Sequence, residues 1–86
     1  MTQRVEVEVL TKPGCHLCEE AMAVAQQACT EFGIALRERD ISRDESLMAT
    51  HAEEIPVLLI NGRVKDFWRF DPQRLRRLLS EATSGA

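Results

Sequence analysis

The sequence predicts an α/β fold: four strands in one mixed sheet with helices on both faces, in the order β-α-β-α-β-β-α. Three observations carry this. Val5, Val7 and Val9 alternate with Glu6 and Glu8, the period of a strand with one apolar face. Apolar residues recur at helical spacing from Cys15 to about Phe32, the mark of a helix lying on a sheet. Val57-Leu58-Leu59-Ile60 is an unbroken aliphatic run, which suits a central strand covered on both faces. At 86 residues, the chain is expected to be one domain over 1–86, with an ordered core over about 4–82.

The first strand is expected over Arg4 to Leu10, and Pro13-Gly14 marks the turn after it. In the first helix, Leu17, Ala21, Val24, Ala28 and Phe32 form one apolar line and Cys18, Met22, Ala25 and Cys29 the next; Gly33 is the stop. Ile34 to Ile41 reads as a second strand, and Arg37, Glu38 and Arg39 suggest an edge position, where charge discourages pairing with another chain. Ser42 with Glu45 forms a capping box for a short helix through about Ala52. After Pro56 and the aliphatic run, Asn61-Gly62 signals a tight hairpin, so Arg63-Val64-Lys65 should return antiparallel. Asp71-Pro72 opens the last helix as cap and first residue, with Leu75, Leu78, Leu79 and Ala82 as its apolar stripe. Thr83 to Ala86 should fray. The first strand-helix-strand connection should give a parallel pair.

Composition narrows the function classes. Hydrophobic residues at 44% and charged residues at 29% are those of a globular domain. A net charge of −3 argues against nucleic acid as a main partner, although Arg69, Arg74, Arg76 and Arg77 cluster near the end. No segment approaches the ~20 apolar residues of a membrane span, and the charged, alternating start does not read as a signal peptide. Three cysteines, Cys15, Cys18 and Cys29, do not make a secreted disulfide framework. A cytoplasmic location is therefore expected, where a close cysteine pair is redox-active or metal-binding more often than structural.

That pair lies in the stretch TKPGCHLC, Thr11 to Cys18. Cys15 falls where strand turns into helix and Cys18 one turn inside. Residues three apart on a helix lie about 5–6 Å apart, within reach of a disulfide. The helix N-terminus offers unpaired N–H groups and a partial positive charge, which favour a thiolate on Cys15. The chemistry would be thiol–disulfide exchange, with Cys18 as the resolving thiol. His16, if charged, and Lys12 would add to this, while Glu19 and Glu20 oppose it. Three blander readings stand beside it: two unrelated cysteines on a helix start, a structural zinc site, for which His51 is the next candidate but lies on another helix, and the small copper-carrying ferredoxin-like domain, whose β-α-β-β-α-β order the helical pattern at 43–52 contradicts. Cys29, Met22 and Met48 read as core, His51 as a solvated helix residue, and Phe67, Trp68 and Phe70 as cover for the sheet edge and a staple for the last helix, or Trp68 as a wall beside Cys15. Pro56 on its own reads as a trans proline before a strand.

Taken together, TKPGCHLC, EIPVLLINGR some forty residues later and the final helix make the chain resemble the glutaredoxin branch of the thioredoxin superfamily, in particular small bacterial-type glutaredoxin-like proteins with a Gly-Cys-x-x-Cys motif. The resemblance spans roughly Val5 to Leu79 and implies a thioredoxin/glutaredoxin-like fold and a thiol-disulfide oxidoreductase. It implies Cys15 as nucleophile, Cys18 as resolving thiol and Pro56 as a cis-proline facing them. Ile55 would pair its backbone with an extended substrate, and Lys12 would approach a glutathione carboxylate. His16 and Trp68 complete the expected substrate-contact set. No bound cofactor or metal is implied; glutathione or a reductase would supply electrons, and substrates would be disulfide-containing proteins or glutathione mixed disulfides, met by a monomer. The family also contains cluster-binding modules, and the fold can serve as an adaptor. The chain departs from the family where a Gly-Gly-x-x-Asp segment grips glutathione: Asp66-Phe67-Trp68-Arg69-Phe70-Asp71 holds no glycine and three aromatics. His16-Leu17 replaces the common Pro-Tyr, and the buried acid near the thioredoxin active site has no clear counterpart.

Overall fold

A computed structural model describes residues 5–84. The elements follow the expected order: β1 (Val7–Thr11), α1 (His16–Phe32), β2 (Leu36–Asp40), α2 (Glu45–His51), β3 (Val57–Ile60), β4 (Arg63–Phe67) and α3 (Pro72–Thr83). The sheet runs β2-β1-β3-β4. β1 and β2 are parallel, Val9 opposite Glu38 and Thr11 opposite Asp40. β3 is antiparallel to both β1 and β4. The aliphatic run is therefore central and the charged strand β2 lies at an edge, as its residues dictate.

Alternation along the strands sorts the core into two layers. Val7, Val9, Leu58 and Ile60 pack with Ala21, Ala25, Ala28 and Cys29 of α1 and with Leu75 and Leu79 of α3. Leu10 and Val57 point the other way, toward Ile41, Ile55 and the α2 residues Leu47 and Met48. Small residues on α1 let that helix lie close on the sheet. Burial pushes the Cys29 thiol up, consistent with a core residue rather than a reactive one.

The turns follow local chemistry. Gly33 closes α1 at φ +67°, its N–H bonded to the last turn, a conformation that favours glycine. Asn61 and Gly62, at φ +52° and +80°, form the two-residue hairpin. Asp71 caps α3 through the Gln73 N–H at 3.0 Å, and Phe70, just before that cap, joins Leu75 in the core, the staple arrangement.

Several expectations are corrected. The cap of α2 is Asp44, whose Oδ1 accepts from Leu47 N at 3.0 Å. Ser42 instead gives its own N–H to Asp40 Oδ1 at 2.8 Å, so it belongs to a turn that holds the Asp40 carboxyl below its usual range. β1 begins at Val7 rather than Arg4, which lies outside the described residues, and it extends to Thr11. β4 runs two residues past Lys65, to Phe67. Thr83 is helical, its Oγ1 donating to Leu79 O at 2.9 Å; residues 85–86 lie outside the described part. His51 is not a solvated residue: its side chain is 15% exposed and pairs through Nδ1 with Glu54 Oε1 at 3.0 Å.

Denaturant titrations of three variants check this account. Asp44→Ala is expected to cost about 1 kcal/mol and Ser42→Ala a few tenths at most, because only the first removes a helix cap. Leu79→Ala, at a fully buried position, is expected to cost about 2–5 kcal/mol.

Candidate active site

The site begins with the turn that carries β1 into α1. Gly14, at φ +78°, lets the chain reverse, and Cys15 becomes the N-cap of α1 in extended backbone. Its Sγ accepts the Cys18 N–H at 3.2 Å. An N-cap side chain serves the backbone N–H three residues on, so the spacing of the two cysteines is the spacing of a cap and its donor. The donated hydrogen and the helix dipole both stabilise negative charge on that sulfur.

The two sulfurs meet different surroundings. Cys15 is half-buried, whereas Cys18 is buried against Leu10, Ile41, Ile55 and Val57. The Cys18 thiol is pushed up to about 11. Burial is the main cause; its hydrogen bond to Cys15 and the negative charges of Cys15 and Glu38 add to it, and a backbone hydrogen bond at Lys12 opposes it. Both thiols are free.

An open cleft of about 410 Å³ lies beside the pair, lined by Thr11, Lys12, Cys15, His16, Cys18 and Glu38 among others. Lys12 is exposed at its rim. His16 points into solvent, 98% exposed, with Nδ1 3.7 Å from Glu19 Oε2; so exposed a pair contributes little. On the opposite layer, the Ile55–Pro56 bond is cis and Ile55 packs in the same cluster as Cys18. Among the described residues, neither the N–H nor the C=O of Ile55 enters a loop, turn or cap hydrogen bond.

Trp68 holds this segment in place. Its backbone N–H donates to Pro56 O at 2.8 Å and its indole N–H to Glu53 O at 2.9 Å. Its φ is +66°, an unusual conformation for a bulky residue. The ring is 52% exposed and meets Phe67 edge to face at 4.8 Å. Leu17, Phe67, Trp68 and Arg69 line an apolar hollow, so the surface continues from the residues between the cysteines to the aromatic pair. Of the three aromatics in this segment, Phe70 is core and the other two are surface.

The structure thus gathers Lys12, Cys15, His16 and Cys18 round one cleft, places Ile55 against Cys18, and ties Trp68 to Pro56. It also brings in a residue that sequence reasoning assigned only to edge protection. Glu38 lies on the cleft with both cysteines, and its Oε2 accepts from Thr11 Oγ1 at 2.9 Å. The available signal was alternation: Leu36 packs in the α1 layer, so Glu38, two residues on, faces the same way. Among the described residues, no three His, Cys, Asp or Glu side chains converge on a metal position.

Comparison with known proteins agrees with this geometry. The model of the glutaredoxin-like domain (DUF836) family matches residues 6–80. An uncharacterized protein of Mycobacterium tuberculosis, Rv0508, is 28% identical over 88 residues, covering 96% of this chain and 91% of its own length. The X-ray structure of the structural-genomics target XcR50 from X. campestris is 30% identical, with a TM-score of 0.74 over 87% of this chain and 96% of that one. The germline-specific thioredoxin Deadhead of Drosophila melanogaster shares the fold, at 15% identity and a TM-score of 0.63, over 91% of this chain and 80% of its own. With its cysteine pair on the first helix and a β-α-β-α-β-β-α order, the chain belongs to the glutaredoxin-like domain (DUF836) family and has the thioredoxin fold.

Proposed function

We propose that this protein is a small thiol-disulfide oxidoreductase in which Cys15 attacks a substrate disulfide and Cys18 resolves the mixed disulfide. The observation that carries this reading is the hydrogen bond from Cys18 N–H to the half-buried Cys15 sulfur at the start of α1. It gives one accessible sulfur a donor for its negative charge and puts a second thiol within one helical turn. In the forward reaction the Cys15 thiolate forms a bond to one substrate sulfur while the substrate S–S bond breaks, releasing a thiol. Cys18 then bonds to Cys15, and the second substrate thiol leaves with its electrons. The substrate is reduced and the cysteine pair oxidised.

The substrate would lie extended beside Ile55, whose free N–H and C=O can pair with it as an added strand does. Lys12 and His16 border the cleft on one side, and Trp68 with Leu17 forms an apolar wall on the other. Disulfide-bearing proteins and glutathione mixed disulfides both suit this shape. Glutathione or a reductase system in the cytoplasm would return electrons to Cys15–Cys18, with no resident cofactor. No helix of the described residues is long and apolar enough to cross a membrane, and the protein is proposed to act as a monomer on soluble partners.

Iodoacetamide at neutral pH is expected to label Cys15 and to leave Cys18 and Cys29 unmodified in the folded protein, read by mass spectrometry. Equal labelling of all three thiols would sink the assignment of the nucleophile. Cys15→Ser is expected to abolish disulfide reduction, and Cys18→Ser to accumulate protein-linked mixed disulfides resolvable on a non-reducing gel. Trp68→Ala is expected to lower kcat/KM for a protein disulfide roughly tenfold, as loss of an exposed aromatic contact does.

A further inference from the structure

Charge is unevenly spread along the chain. Residues 63–77 hold six of the eleven Lys and Arg but only two of the fourteen Asp and Glu. This stretch is β4, the turn after it and the start of α3, so cations gather on one side of a chain whose net charge is −3. The two acids of the stretch are engaged with backbone: Asp66 accepts the Phe67 N–H at 2.9 Å and Asp71 caps α3. Among the described residues, Arg76 is the one cation of the six that forms an ion pair, with Glu31.

The same side has a shape to match. Between β4 and α3 runs a groove of about 450 Å³. Ile60, Leu78 and Ala82 give it an apolar floor, with Arg63 and Lys65 on the β4 wall and Glu81 on the α3 wall. Residues four apart on a helix share a face, so Arg74 extends the line of Leu78 toward the helix start. At the far end of β4 lies the hollow of Leu17, Phe67, Trp68 and Arg69, and Leu17 is two residues beyond Cys15. The exposed large apolar side chains among the described residues, Val64, Phe67 and Trp68, all belong to this strand or its end. β4 is also an open edge of the sheet. Cations on an edge strand deter pairing with another chain; that accounts for Arg63 and Lys65 but not for Arg69 and Arg74, which lie off the strand.

We propose that the β4–α3 face is a docking surface for an acidic protein partner, which lays a segment of carboxylates and apolar side chains along the groove and so brings its disulfide to Cys15. The docking rests on charge and shape; the fate of the disulfide rests on the exchange reading of the site. Charge complementarity selects the occupant: carboxylates meet Arg63, Lys65 and Arg74, while the groove floor and Phe67 take the apolar side chains between them. Glu81 marks a position where the partner is expected to carry no carboxylate. A second copy is a poorer occupant, because a two-fold contact on this face sets cation against cation. Nucleic acid is poorer too, because its phosphates would meet the surplus of acids in the rest of the chain.

Three synthetic peptides test this, sharing one disulfide and the same apolar residues, with glutamate, glutamine or lysine at the remaining positions. At low ionic strength the glutamate peptide is expected to be reduced with a kcat/KM about tenfold above that of the glutamine peptide, as a few exposed ion pairs allow. The advantage should fade as salt rises. The combined variant Arg63→Gln, Lys65→Gln, Arg74→Gln should lose the advantage and still reduce dithiodipyridine, a small uncharged disulfide, at the normal rate. Charge reversal, Arg63→Glu with Lys65→Glu and Arg74→Glu, should turn the preference to the lysine peptide, which mere destabilisation would not do. Calorimetry with peptides whose cysteines are replaced by serine reads docking without exchange. Equal rates and equal binding for the glutamate and glutamine peptides at low salt would overturn the proposal, as would an advantage that survives in the neutralised variant. Tighter binding of a single-stranded oligonucleotide than of the glutamate peptide would overturn it too, and so would a dimer, seen by sedimentation, that the neutralised variant abolishes. Failure of the unaltered protein to reduce dithiodipyridine, with glutamate-selective binding intact, would overturn the exchange reading and leave the docking surface standing.

Discussion

The geometry of the site descends from one hydrogen bond, Cys18 N–H to Cys15 Sγ at the mouth of α1. A helix start leaves N–H groups without partners, and most proteins satisfy them with an oxygen from serine, threonine or aspartate. Here a sulfur takes that place. The same bond that caps the helix therefore fixes the orientation of Cys15, keeps its sulfur at the surface and sets Cys18 at the third helical position. Everything that stabilises α1 supports the arrangement: the alanine face on the sheet, the left-handed Gly33 at its end and the bidentate pair of Arg76 from α3 with Glu31.

Most of the fold was legible because its signals are local. Alternation in β1, the double apolar line of α1, the Asn-Gly hairpin and the Asp-Pro start of α3 each name an element without knowledge of the rest. The α2 cap was not legible for a physical reason. Ser42 and Asp44 both precede the helix and both can accept from its N–H groups, and only the turn made by Asp40 decides between them by engaging the Ser42 backbone. His51 was misjudged because a polar residue on a short helix gives no sign of a partner three positions ahead. Within the site, the cysteine spacing and Pro56 were readable, whereas Glu38 was hidden. The successive charges Arg37 to Asp40 look alike in one dimension, and only the packing of Leu36 against the α1 layer shows that Glu38 lies on the cleft side.

The segment 66–71 illustrates a different limit. Its aromatics signal contact surface, but not which of them turns inward. The structure divides them: Phe70 staples α3, while Phe67 and Trp68 stay outside beside Leu17. Trp68 holds its left-handed backbone because two hydrogen bonds, to Pro56 O and Glu53 O, offset the conformational cost, which is about 1–3 kcal/mol for such a residue. The energy is spent on tying the end of β4 to the loop that carries Ile55 and Pro56. A family-type glycine pair in this position would leave room for the backbone of a small peptide; a clamped tryptophan replaces that room with an apolar wall.

The contrast between the two sulfurs sets protection of one thiol against its reactivity. Under the proposed exchange, a half-buried, N–H-bonded Cys15 would meet incoming disulfides directly, whereas a buried Cys18 would meet only Cys15. Burial would then shield Cys18 from outside disulfides, and its place one helical turn from Cys15 would make its attack intramolecular, which favours closure over a second bimolecular event. Yet the same burial penalises the charged form that must attack. Moving Cys18 outward would relieve the penalty and forfeit the protection.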